Sequence, residues 1–322
     1  MPAWPAFEHD IASPTSPASS ASDDDDDVNY RLTPNWDRYR GLLERCGFHL
    51  DTVNDVKRFY EHRMEDSPRP FGYYHERLFR DGTALCKDPG LPDNLFRGCR
   101  LRDGLHIVVK AVHIRSREYD ITRFLSSSQL RSNSMNHCIP VLDFIEVPGD
   151  AIVFIVMEEW SSELFPETPC CMKAFLSAIR SCIEHVVFMH HHDIAHLDIS
   201  LRNLVTDYKG NYACIDYEIS RRVHNRSRPL LRGIRGTELP PEVEQGQYTD
   251  PFKVDIWALG ILILRACHLS GKLTQELLFV TRPMLSSSHD HRPSAVQVLK
   301  TFDATVSSHD NVLHTCFQDA SL

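Results

Sequence analysis

A chain of 322 residues with 42% apolar and 25% charged side chains has ordinary globular composition, which excludes collagen-like, coiled-coil and wholly disordered readings. The formal net charge is −9, and no basic domain of the kind that binds nucleic acid stands out. The longest apolar run, Ile256 to Cys267, is broken by Arg265 and falls short of the roughly 20 residues needed to cross a bilayer.

The N-terminus carries no export pattern. Ten cysteines are scattered without a C-x-x-C pair, as in a reducing compartment. The expectation is an intracellular protein, cytoplasmic or nuclear, with neither a nucleic-acid nor a membrane partner. Residues 1–30 contribute −7 of the charge, mostly through Asp23 to Asp27. Rich in Pro, Ser and Ala, residues 1–27 bury too little to offset ordering entropy and read as a disordered acidic tail.

Residues 28–69 read as a helical extension. Trp36, Tyr39, Leu42 and Leu43 recur at helical spacing, as do Val53, Val56, Phe59 and Tyr60, with Gly47 as a stop between them. Ser67-Pro-Arg-Pro70 breaks the pattern, and a main domain follows over 70–306 with a tail over 307–322. Within it, Ile107–Val112, Val141–Ile145 and Ile152–Met157 read as strands, and Arg117–Leu125 as a short helix. A long helix is expected over Cys171–His190. Short strands follow over Asn203–Thr206 and Tyr212–Ile215, joined by a turn at Asp207-Tyr-Lys-Gly210, and helices resume near Val254. Strands first and helices later give an α+β protein with a small β-rich lobe ahead of a larger helical lobe.

The densest chemical signal is His196-Leu-Asp-Ile-Ser-Leu-Arg-Asn203, with Asp216 in Cys214-Ile-Asp-Tyr-Glu218 eighteen residues beyond Asp198. An Asn oxygen and a carboxylate suit Mg²⁺, which prefers hard oxygen ligands and takes few from the protein. A separate carboxylate can orient a substrate hydroxyl and accept its proton. Upstream, Lys110 stands alone in the apolar run Val108-Val-Lys-Ala111. A buried ammonium is costly unless paired, and Glu118 on the next helix is the nearest candidate; alone, Lys110 could equally snorkel from an edge strand.

In order and role, Lys110, Glu118, His196-Leu-Asp198, Asn203 and Asp216-Tyr-Glu218 resemble the signature set of the eukaryotic protein-kinase superfamily. Gly236-Thr-Glu-Leu-Pro-Pro-Glu242, Asp255-Ile-Trp-Ala-Leu-Gly260 and Arg292-Pro-Ser-Ala295 extend the likeness over roughly residues 75–305. The chain also resembles divergent kinase-like proteins of expanded fungal families. The resemblance implies a two-lobed protein-kinase-like fold binding ATP and Mg²⁺ between the lobes. It further implies that Lys110 contacts the α- and β-phosphates and Glu118 steadies it, that Asp198 is the catalytic base, and that Asn203 and Asp216 hold the metal. Met157 would be the gatekeeper, Glu158 to Trp160 the hinge beside adenine, and Val205 the floor beneath it. His196 and Tyr217 would pack and align the loops, and Arg292 would pair with Glu242. The partner implied is a protein substrate of unknown identity.

Several positions depart from that pattern. No G-x-G-x-x-G precedes Lys110, so the usual cover over the phosphates is rebuilt or missing. Leu197 replaces the arginine that clamps a phosphorylated loop, and Glu218 replaces a glycine. Ser200 stands where serine/threonine-specific members carry lysine. Only 37 residues separate Asp255 from Arg292, which implies a reduced substrate-docking helix. These departures keep open a pseudokinase scaffold, and the Ile215-Asp-Tyr-Glu218 motif keeps open a small-molecule kinase of choline or aminoglycoside type. His190-His-His192 is read as helix-end and loop residues over a zinc site, and Cys170-Cys171 as ordinary thiols. The arginines at 221, 222, 226, 228, 232 and 235 form a solvated basic loop, or contact an acidic partner or the chain's own acidic tail.

Overall fold

The computed structural model describes residues 31–63, 81–162, 172–223, 230–272 and 274–307. The expected acidic tail, the Ser67–Pro70 break, Cys170-Cys171, Arg226, Arg228 and residues 308–322 lie outside them. The chain is α+β, with a β-rich lobe before a helical one, as the strand-then-helix order implied.

Helix α1 (Trp36–Arg45) starts where the Asn35 side chain accepts the Arg38 N–H, and Asp37 and Arg45 sit at the ends their charges favour. Strand β1 (Phe48–Leu50) follows, then α2 (Val53–Arg63), β2 (Leu95–Arg100), β3 (His106–His113), α3 (Arg117–Leu125) and the one-turn α4 (Ser128–Arg131). Strands β4 (Val141–Val147) and β5 (Ile152–Glu158) complete an antiparallel sheet ordered β1-β2-β3-β5-β4. The segment ahead of residue 70 therefore contributes a strand as well as helices. Between Leu50 and Leu95 the chain makes a 44-residue excursion that contains α2, where a tight turn would suffice for antiparallel neighbours. Gly98 makes the junction possible: a Cβ there would lie 2.0 Å from the His49 carbonyl oxygen.

Both faces of this sheet are covered, and that explains the nearly continuous apolar run in β3. Ile107, Val109 and Ala111 share a core with Trp36, Tyr39 and Leu43 of α1 and with Phe96 and Phe154. Val112, one residue out of phase, packs with Tyr119 of α3, Val153 and Ile155. Side chains alternate along a strand, so Lys110 shares the α3 side with Val112.

The helical lobe is built on α5 (Met172–His191). After it come β6 (Ile194–Ala195), the hairpin of β7 (Leu204–Thr206) and β8 (Tyr212–Cys214), and β9 (Arg221–Arg222), which pairs with β6. The one-turn α6 (Pro241–Glu244), α7 (Pro251–Ser270), α8 (Gln275–Met284) and α9 (Ala295–Ser307) finish it. Helix α7 begins with Pro251 at its first turn and the Asp250 side chain accepting the Phe252 N–H. Its Ile256, Leu259 and Ile263 share one core with Ile179 and Ile183 of α5 and Val298 and Phe302 of α9. No helix among the described residues is long and apolar enough to cross a membrane.

Candidate active site

Two short segments far apart in the chain, one holding Lys110 and Glu118 and the other Asp198 to Asp216, meet between the lobes. From β3, the Lys110 Nζ lies 2.5 Å from Glu118 Oε1 on α3 and 2.9 Å from Asp216 Oδ1 beyond β8. Helix α3 is oriented for this by Ser116, whose side chain accepts the Tyr119 N–H, and by Tyr119 in the sheet core. Lys110 and Glu118 are both buried. Burial alone would lower the lysine's pKa, but the two carboxylates reverse that and hold it above its usual value. Burial would raise Asp216, yet Lys110 and its hydrogen bond hold that carboxyl below the usual range.

The loop bearing Asp198 is braced from beneath. Asp255 on α7, fully buried, accepts the backbone N–H groups of Leu197 and His196 at 2.7 and 2.8 Å and lies 2.8 Å from His190 Nε2. That brace supports a left-handed backbone at Leu197, whose φ is 66°, a region costly for a branched side chain. Leu197 turns into an apolar cluster with Ala195, Val243 and Val254.

Asn203 spans the loop: its Nδ2 donates to the Asp198 carbonyl at 2.9 Å and to Asp198 Oδ2 at 2.8 Å. The remaining Asp198 oxygen, Oδ1, accepts the Thr237 N–H at 2.7 Å. Gly236 permits that approach, since a Cβ there would lie 2.4 Å from the Leu197 carbonyl oxygen. Each carboxylate oxygen has about two acceptor directions, so Asp198 retains capacity for an incoming hydroxyl.

Asp216 also has a left-handed φ of 66°. Its neighbour Tyr217 is pinned in the core: the Tyr217 hydroxyl lies 3.0 Å from His185 Nε2 and donates to the Cys214 carbonyl at 3.1 Å. Because His185 Nδ1 accepts the His137 N–H at 3.1 Å, the ring is neutral with its proton on Nε2. Burial first, then His196 and His137, drive its pKa well below the ordinary histidine value. His196 packs its ring 5.2 Å from that of Tyr217.

The expected adenine-side residues also converge. Val205, Ile139 and Ala213 form a buried cluster against which Met157, Trp160 and Ile215 pack, and Trp160 Nε1 donates to Glu158 Oε2 at 3.0 Å. The Glu159 N–H, in the same linker, donates to the His106 carbonyl at 3.0 Å.

The donor set suits a small hard cation. Asn203 spends its Nδ2 on Asp198 and keeps its amide oxygen, and Asp216 keeps Oδ2 beside the Oδ1 that meets Lys110. No cluster of three or more His, Cys, Asp or Glu fit for a metal occurs among the described residues; an ion that retains most of its waters does not need one. His190 to His192 have other uses: His190 meets Asp255, and the His192 ring packs edge-on against Phe124 and Phe188.

Three contacts were not legible in the sequence. The Thr237 N–H on Asp198 is a backbone group and carries no residue signature. His185 on Tyr217 joins a helix to a loop 32 positions away. Glu218 is held by Arg31, whose Nε donates to its Oε2 at 2.8 Å from 187 positions away. Farther down, Arg292 is buried, bidentate on Glu242 at 2.6 and 2.8 Å, with its guanidinium 4.9 Å from the Trp257 ring centre.

Comparison with known proteins agrees with this geometry. The family model described as "Protein kinase domain" matches residues 94–272, more than half of the chain. The mitogen-activated protein kinase kinase kinase MST11 of Pyricularia oryzae is 32% identical over 98 residues, 27% of this chain and 10% of the relative. The kinase KKQ8 of Saccharomyces cerevisiae is 31% identical over 139 residues, covering 39% and 17%. The serine/threonine-protein kinase shk2 of Schizosaccharomyces pombe is 34% identical over 90 residues, covering 26% and 15%. The matched stretch thus spans less than a fifth of each of these longer proteins.

Proposed function

Because the chain belongs to the protein kinase domain family, we propose that it transfers the γ-phosphate of ATP to a protein hydroxyl. The observation that carries this reading is the Lys110–Asp216 contact at 2.9 Å between residues 106 positions apart, with Glu118 on the other side of the same ammonium. Such a cation is suited to the α- and β-phosphates, and Glu118 keeps it aimed.

Asp198 receives the acceptor's proton as its oxygen attacks the γ-phosphorus. The new O–P bond forms as the bond to the bridging β-oxygen breaks, and ADP departs with that electron pair. Asn203 and Asp216 would hold Mg²⁺, which neutralises charge on the phosphates when bound. Met157, Glu158 and Trp160 would border adenine, with Val205 beneath it. The named kinases among the relatives, shk2 in particular, support serine or threonine as the acceptor, and an intracellular location goes with ATP as donor.

The test is transfer of labelled γ-phosphate to a panel of proteins and small alcohols, with Asp198→Asn as control. The substitution is expected to lower transfer by about 10²–10⁴, the usual contribution of a general base, while nucleotide binding persists. Equal transfer by the two proteins overturns the assignment.

A second reading, a scaffold that binds without transferring, draws support from the lack of a G-x-G-x-x-G ahead of Lys110 and from Glu218 in place of a glycine after Asp216-Tyr217. Nucleotide binding with no transfer to any acceptor selects it. Transfer confined to small alcohols would select a small-molecule kinase instead.

A further inference from the structure

Four arginines stand on the segments of chain that flank Asp198. Arg202 precedes Asn203, and Arg235 lies two residues before Thr237, whose N–H reaches Asp198; two residues span at most about 7 Å. Arg232 holds its guanidinium 5.9 Å from the Tyr248 ring centre, and Arg221 pairs through β9 with Ala195, just upstream of Asp198. All four arginines are exposed. Carboxylates on the neighbouring elements are engaged: Glu238 by Arg265 at 2.9 Å, Glu242 by Arg292 at 2.6 Å, Asp120 by Arg222 at 3.1 Å and Glu218 by Arg31 at 2.8 Å. Glu244 on α6 is exposed. Among the described residues none of the four arginines is ion-paired with a carboxylate, so the segments that flank Asp198 carry more exposed positive than negative charge. Guanidinium forks bind carboxylates in a bidentate, oriented manner.

We propose that this rim selects acceptor peptides carrying acidic residues beside the hydroxyl, a substrate class that rests on the phosphoryl-transfer reading above. The chain itself contains a stretch of this composition, Ser22 followed by Asp23 to Asp27, and it supplies the probe.

Three labelled peptides are compared: residues 16–29 as they stand, the same with Asp23–Asp27 changed to Asn, and the same with them changed to Lys. They are titrated by fluorescence anisotropy against the full chain bearing Asp23–Asp27→Asn, so that its own stretch does not compete. The acidic peptide is expected to bind at least tenfold tighter than the Asn peptide, with the margin shrinking at high salt. Arg202→Gln with Arg235→Gln should cut the margin below threefold, and the melting temperature of that variant verifies its fold. Equal binding of the acidic and Asn peptides, or preference for the Lys peptide, overturns the proposal. Phosphate transfer is followed in parallel by mass spectrometry at Ser22. Acidic preference without transfer leaves the rim's selectivity standing and counts against the phosphoryl-transfer reading.

Discussion

One ammonium at Lys110 serves two carboxylates from different parts of the chain. Removing it leaves Glu118 buried and Asp216 facing it without a cation. Breaking a buried pair in this one-sided way costs about 3–5 kcal/mol, so Lys110→Met should lose both nucleotide binding and stability, measured by chemical unfolding. Glu118→Gln keeps the shape and one hydrogen-bond acceptor and should cost less. Leu197 belongs to an apolar cluster and has no charge to offer a phosphate; phosphorylating the segment before Gly236 should raise activity less than tenfold, assayed on the stoichiometrically modified protein.

His185 makes stability depend on pH. Its folded pKa lies well below the ordinary value, so below about pH 6.5 the unfolded chain takes up a proton that the folded chain refuses. Stability contributed by the neutral ring is intact above that pH and declines as pH falls, by up to about 1.4 kcal/mol per unit. Unfolding of the parent and of His185→Gln between pH 5 and 7.5 should differ by that slope; parallel curves would refute it.

Among the elements, the legible ones were periodic or, like the three-residue β7 and β8, joined by a short turn with its own signal. Helix α3 matches its expected span of Arg117–Leu125, and β3, β5 and α5 agree within a residue or two at each end. Strands β1 and β2 were missed for physical reasons. Phe48–Leu50 is three residues long, and Leu95–Arg100 interleaves Arg97, Gly98 and Arg100, so neither carries a β-type pattern. Their register shows what the composition hid: Gly98 is present because the His49 carbonyl occupies the space of a side chain. Gly98→Ala should force β1 outward at a cost of about 1–3 kcal/mol, seen as a lowered melting temperature with the helical lobe little changed. The chemistry-bearing residues, by contrast, were legible because their spacing is local to two short segments; the groups that hold those segments in place come from elsewhere in the chain.

For the whole molecule, two lobes share one set of polar groups. Lys110 and Glu118 belong to the sheet lobe, Asp198, Asn203 and Asp216 to the helical one, and the contact at 2.9 Å joins them. A ligand that bridges both lobes should therefore stabilise them as a unit. Mg-ATP at 100 times its dissociation constant is expected to add about 2.7 kcal/mol, read as a single upward-shifted transition. Two separate transitions, or no shift, would mean that the lobes do not jointly bind it.

Arg31 gives this arrangement an experimental handle. Its Nε sits 2.8 Å from Glu218, two positions past Asp216. A solvatochromic dye attached at the exposed Thr33, two positions beyond Arg31, would therefore stay within a short stretch of chain of the Glu218 contact. Its emission would provide an optical reporter of cleft occupancy that needs neither a known acceptor nor turnover.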